Sequence, residues 1–341
     1  VGLTGLIFLN PILYALGASD DTLPYARDFM QVILAGNIFT HLYLGLNNIM
    51  RSSGYPRKAM RTTLFTVVVN LILAPLFIFG FKWGIRGAAL ATVIAQITGT
   101  IWVLCHFTRI ESFVHFLPGY MRLKRAVIKE IFSIGMANFL MLMTSSVVTS
   151  IVNLSLKKYG GDMAIGAFGI INSIAGLVVM IVIGFNQGMQ PIVGYNYGAK
   201  KFDRVTRAYR LTVFAGIAVT TFGFLLGEVF PRQLSSAFTT SKELIDHATL
   251  GMRLNLIIFP IVGFQVVTSS FFQSIGKAGI SIFLSLSRQV LFFIPALLIL
   301  PHFLGLRGVW LSGPVSDISS TLITFVILQW QIRKIKSSVS V

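Results

Sequence analysis

Asp317 stands about eleven residues into an apolar run, in Gly313-Pro314-Val315-Ser316-Asp317, whereas nearly all of the other acids fall in loops or at the ends of such runs. An acid at the centre of a membrane helix costs about 2.5–3.5 kcal/mol on insertion scales, so one that remains there either works or is held by a partner. On the first reading Asp317 is a proton-titratable or cation-contacting carboxylate. On the second it makes a structural hydrogen bond that ties a proline-bent helix to its neighbour. Gln96, 221 residues earlier, puts another polar group at the matching depth.

The densest polar pattern is Gly184-Phe185-Asn186-Gln187-Gly188-Met189-Gln190-Pro191, followed by Gly194-Tyr195-Asn196-Tyr197-Gly198. Four amides with Gly and Pro at a helix end suit a wet cavity or a gate; capping and close packing at the membrane surface are the alternative. Asn138, Thr144, Asn172, Gln265 and Arg288 are further polar residues inside apolar runs, and they are read as candidates to line a cavity. Met141, Met143, Met180 and Met189 would suit variable greasy substrates, because thioethers adapt, although ordinary packing also explains them.

The elements that must carry these residues are membrane helices. Only 11% of the chain is charged and 55% is hydrophobic, with a mean hydropathy of +0.79; a soluble chain carries about a quarter charged residues. Runs of roughly 20 apolar residues, enough to cross a hydrocarbon core of about 30 Å, recur throughout. In lipid such runs must satisfy their own backbone, so they form helices. The period-two alternation of a barrel does not occur. The expected spans are 1–18 (partial), 24–50, 60–80, 86–107, 126–156, 163–192, 207–230, 243–272, 279–300 and 306–331.

The chain also repeats itself. Gly84-Ile85-Arg86-Gly87 returns as Gly305-Leu306-Arg307-Gly308, Pro75 as Pro295, Pro11 as Pro231 and Gly54 as Gly276, at offsets of 221, 220, 220 and 222. Repeats in an all-apolar chain point to a secondary transporter. Residues 121–341 make one six-span unit. A first unit at the same offset would begin about 100 residues before Val1, so a twelve-span protein of about 440 residues truncated at its N-terminus is expected. An even number of spans gives both copies one orientation. The expected fold is therefore all-α and polytopic: two six-helix lobes related by a pseudo-two-fold along the membrane normal, the first incomplete. Residues 1–112 would close the N-lobe, 113–125 form an interfacial linker and 126–341 make the C-lobe.

The net charge of +17 follows the loops. Alternate loops hold 18 basic residues, among them Arg51, Lys58, Arg61, Lys200, Arg204 and Arg207, against 7 in the other set. The richer set is expected in the cytoplasm, together with the C-terminus, and the location is a plasma (inner) membrane. No basic stripe outside the span-flanking loops suits nucleic acid. Cys105 is the only cysteine, and neither metal-ligand spacings nor a cofactor motif occurs. The five histidines sit singly, and no Ser-His-Asp order, phosphate loop or His-x-x-x-His is found, so an enzyme is not expected.

The 184–201 stretch resembles the eighth-helix signature of the multidrug and toxic compound extrusion (MATE) transporters. The Gly-x-Arg-Gly span starts and the two-lobed repeat are similar too. The resemblance covers the whole chain. It implies two six-helix lobes around a central cavity, from which organic cations or amphipathic drugs leave in antiport with H⁺ or Na⁺ by alternating access. One branch of the family places a cation site in the N-lobe, to which Asn70 and Thr92 correspond. The second acid of that pattern is here Ala74, and its first-helix acid would precede Val1. The seventh-helix acid of the other branch falls near Ser145, and its tenth-helix acid is replaced by Arg253, Asn255 and Gln265. Asn70, Thr92 and Asp317 are thus the expected cation-binding or coupling residues. Gln96, Asn138, Asn172, Gln187, Gln190, Gln265 and Arg288 are the expected cavity residues. The partners implied are small-molecule drugs and membrane lipid, and a monomer is expected. The rival is a lipid-linked saccharide flippase, which would need several cavity arginines for a pyrophosphate; of the arginines within spans only Arg253 and Arg288 qualify.

Overall fold

The computed structural model describes residues 2–15, 23–108, 113–117, 119 and 124–337, with side chains left undescribed at some of these, Asn138 and Met141 among them. The described residues are helical almost throughout and contain no strand. The chain divides into two compact units, Val1–Arg122 and Leu123–Val341.

In the first unit α1 (Gly2–Ile7) and α2 (Leu9–Ala15) lead to α3 (Leu23–Ser52), α4 (Pro56–Pro75) and α5 (Gly84–Phe107). Five residues of wide π-type turn, Leu76–Gly80, follow Pro75. The expected span 1–18 is therefore two short helices, with residues 16–22 outside the described set. Helices α3, α4 and α5 pack on one another through Tyr43, Met50, Ala59, Val103 and Phe107. Small residues allow the close approach that helix association in lipid favours. A Cβ on Gly99 would sit 2.9 Å from the Tyr43 ring.

The second unit opens with α6 (Arg125–Gly198). A straight helix of 74 residues would be about 110 Å long, more than three times the hydrocarbon core. Gly161, at φ 68° and ψ −167°, breaks the run where the sequence separates two spans. Next come α7 (Phe202–Val229), α8 (Pro231–Ser236), α9 (Lys242–Leu256) and α10 (Phe259–Ser274). They are followed by α11 (Ala278–Leu286), a π-type stretch Ser287–Phe293, α12 (Ile294–Leu304) and α13 (Leu306–Ser337). One core gathers Leu156, Ile171, Met252, Leu256, Leu297 and Trp310; another gathers Val182, Met189, Tyr209, Val267 and Phe272. Among the described residues seven helices are long and apolar enough to cross a membrane, or eight if the pair α9–α10 counts as one span. That pair bends by 56°, so the span expected at 243–272 is a broken one.

The duplication is visible element by element. Adding 221 to α2 gives 230–236, where α8 lies; adding 221 to α5 begins at 305, where α13 starts. Gly84 and Gly305 have φ of 55° and 57°, and Gly54 and Gly276 have φ of 93° and 77°. These are left-handed conformations that glycine reaches without a steric cost. The repeated glycines therefore mark turns the backbone requires, not coincidences of composition.

Candidate functional site

Asp317 lies three residues beyond Pro314 on α13 and is buried. It is not alone: the Arg288 guanidinium donates from Nε to Asp317 Oδ1 at 2.6 Å. The Asp317 side chain is 9% exposed and that of Arg288 37%. Arg288 belongs to the π-type stretch Ser287–Phe293, and Ser316 Oγ donates to the Arg288 carbonyl at 2.7 Å. The two helices are thus tied at both the side chain and the backbone. Charge-assisted bonds of this kind are stronger than neutral ones, and the pair removes two lone charges from an apolar setting.

Hydrogen bonds extend from the pair. Ser320 Oγ donates to the Asp317 carbonyl at 3.2 Å and accepts from Gln265 Nε2 at 2.8 Å. Gln289 Nε2 donates to Ser145 Oγ at 2.9 Å. The hydroxyl of Ser269 meets those of Ser281 and Ser285, both at 3.0 Å. Gln265, Ser269, Ser281, Ser285, Arg288 and Gln289 line one cavity of about 400 Å³, with Val179, Ile183 and Leu284 among its apolar wall. Within it, Gln265 Oε1 and Gln289 Oε1 have no donor among the described residues. The site therefore combines acceptors without donors, a row of hydroxyls and a charge pair that sums to zero.

Of the sequence candidates, the structure brings Gln265, Arg288 and Asp317 into this one network. Asn70 and Thr92 meet in the first unit, with Asn70 Nδ2 donating to Thr92 Oγ1 at 3.2 Å and Thr92 donating to the Ala88 carbonyl. Gln96 pairs with the Thr40 hydroxyl across α3 and α5. Asn172 and Gln187 are exposed on α6 and Gln190 is half-buried; none lines the second unit's cavity. Asn138 is helical, but its side chain is outside the described set. The expectation that the 184–201 amides stand at a helix end needs correction. The helix continues through Pro191 to Gly198, so Asn186, Gln187 and Gln190 are interior, and only Asn196 reaches the last turn.

Ser269, Ser281, Ser285 and Gln289 were not singled out from sequence. A signal was present, because 281, 285 and 289 are four apart and make one polar stripe along an apolar span. Its partner Ser269 lies on another helix, which no periodicity reveals.

The fold and the site can now be set against known proteins. The MatE family model matches residues 1–76 and 136–298. The multidrug export protein MepA of Staphylococcus haemolyticus is 25% identical over 323 residues, which cover 94% of this chain and 71% of that protein. The MATE multidrug transporter DinF-BH, solved in a ligand complex, is 37% identical, with a TM-score of 0.87 over 98% of this chain and 75% of its own. An outward-facing multidrug resistance MATE family transporter of the MOP superfamily shares the fold with a TM-score of 0.92 at 21% identity, covering 98% of this chain and 76% of its own. A family match over most of the chain, a relative above 30% identity and an all-helical duplicated fold agree: this chain belongs to the MatE family of multi-pass membrane transporters and is not an enzyme.

Proposed function

We propose that this chain exports organic cations or amphipathic drugs across the plasma membrane by alternating access, in antiport with H⁺ or Na⁺. Residues 1–112 would contribute to an N-lobe and 126–341 form the C-lobe, with the C-terminus in the cytoplasm. The observation that carries the reading is the Arg288–Asp317 pair beside a polar cavity in a transporter of this family. Similarity to proteins named as multidrug exporters and multidrug transporters supports the substrate class.

A coupling ion drives transport only by binding the two conformations unequally. Asp317 supplies such a group: protonated, it loses its hold on Arg288, and the α13 contact weakens. Asn70 and Thr92 offer oxygens for a cation in the first unit. Substrate contact is proposed for Gln96 within the first unit and for Gln265 in the second unit's cavity, with Asn138, Asn172, Gln187 and Gln190 as further candidates on the second unit's α6. The flippase reading is weaker, since a pyrophosphate asks for free cations. Arg288, the cation lining the cavity, is tied to Asp317.

The test is efflux of a fluorescent organic cation from proteoliposomes under imposed H⁺ or Na⁺ gradients. Asp317→Asn is expected to slow gradient-driven efflux at least tenfold while the protein still inserts. Unchanged efflux would remove Asp317 from the mechanism. Alanine at Asn70 or Thr92 is expected to alter the ion dependence, and an unaltered dependence counts against cation coordination there.

A further inference from the structure

We propose that the groove between the Pro56 end of α4 and the Phe107 end of α5 binds one anionic phospholipid. The headgroup would lie on Lys58 and Arg61 and the upper acyl chain on Phe65, Ile101 and Trp102. The groove is a cavity of about 590 Å³ lined by these residues and His106. Lys58 and Arg61 are three apart on α4, so both rise from one helix face. Neither is in an ion pair among the described residues. The contact recorded for Lys58 is the Tyr55 ring, 4.8 Å from its ammonium. Directly beneath, the Phe65 and Trp102 rings lie 4.9 Å apart and are 38% and 42% exposed.

Charge at one end and bare apolar surface at the other match an amphiphile with a negative head. An organic cation is repelled by the two basic groups, and a free anion has no use for the aromatic wall. On this proposal the face looks onto the bilayer. The apolar stretch of α4 is 6% buried, less than any other spanning helix among the described residues, and Leu64, Val67 and Val68 on the same helix are each more than half exposed. A tryptophan at this level fits the membrane–water boundary. Both cations belong to the more basic set of loops, on the side where a negatively charged leaflet attracts Lys and Arg.

The experiment uses the purified full chain in nanodiscs of phosphatidylcholine with small amounts of phosphatidylglycerol. Acyl-brominated phosphatidylglycerol is expected to quench tryptophan emission at a low mole fraction, and brominated phosphatidylcholine is not. Trp102→Phe should remove that quenching. Lys58→Gln with Arg61→Gln should raise the half-quenching mole fraction about thirtyfold, as loss of two surface cations implies. Lys157→Gln with Lys158→Gln serves as a matched control in the poorer loop set, and Arg61→Lys should keep the affinity. Equal quenching by both lipids, no change in the double variant, or competition by inorganic phosphate at the same potency overturns the proposal. If the double variant does not fold, the Trp102→Phe comparison decides alone.

Discussion

The two units are built on one template and have filled it differently. Helix α3 of the first unit runs unbroken through Gly36, whereas its counterpart in the second is the bent pair α9–α10. Adding 221 to Gly36 reaches 257, the break itself, just ahead of Pro260, which has no N–H to continue a helix. The polar contacts diverge as well. The first unit joins its helices with neutral groups, Tyr43 with Thr63 and Thr66, Gln96 with Thr40, and Asn70 with Thr92. Its ion pair, Arg86–Asp28, sits near the helix starts with both side chains at least a third exposed. The second unit sets a charge pair, Arg288–Asp317, where the first has Val67 and Gln96 at the same offset. A duplicated scaffold thus joins helices with hydroxyls and amides in both units and adds the Arg288–Asp317 pair, its acid buried, only to the second among the described residues.

Removing the acid and its neutral counterpart should expose that difference most sharply. Asp317→Ala leaves a guanidinium uncompensated and is expected to destabilise the protein by ~3 kcal/mol, the low end for a broken buried pair because Arg288 is over a third exposed. Gln96→Ala loses a neutral bond and should cost about 1 kcal/mol. Denaturation in mixed micelles reads both, and equal losses would erase the distinction between the units. Gly84→Ala and Gly305→Ala test what the units share. Each forces a side chain into a positive φ and should cost about 2 kcal/mol, by like amounts in thermal unfolding. A large inequality would mean that only one of the two turns bears strain.

A smaller effect of opposite sign is expected at Asn186. It is 3% exposed on the α6 face that carries Val182, Met189 and Val193 into the apolar core, and neither amide atom has a partner among the described residues. Asn186→Leu should stabilise by about 1 kcal/mol, as removal of an unsatisfied buried amide does. A fall in midpoint would show that the amide is in use.

Much of this architecture was legible because it rests on composition and backbone. The apolar runs, the Gly161 break and the paired turns at Gly84 and Gly305 follow from lipid solvation and glycine's freedom, which act locally. The bend at Ile257–Ile258 was not read from hydropathy, although Pro260 just beyond it, a residue with no N–H to continue a helix, was a local sign of it. The site divides in the same way. Arg288 and Asp317 each stood out as ionisable residues in apolar runs, yet their 29-residue separation gives no clue that they meet. Two helices must pack before the pair exists, and packing is not written in the period of either.

The wide turns at Ser287–Phe293 have a consequence for tolerance to length change. A π-type segment is a helix with a surplus residue, and losing that residue would restore ordinary winding. The helices on either side would then keep nearly their present facing, because the wide turns are what absorb the extra residue. The same loss within Ala278–Leu286, which holds no surplus, would turn the serines on its upstream side by about 100° away from the wall they now form. Tolerance to a one-residue deletion is therefore confined to Ser287–Phe293.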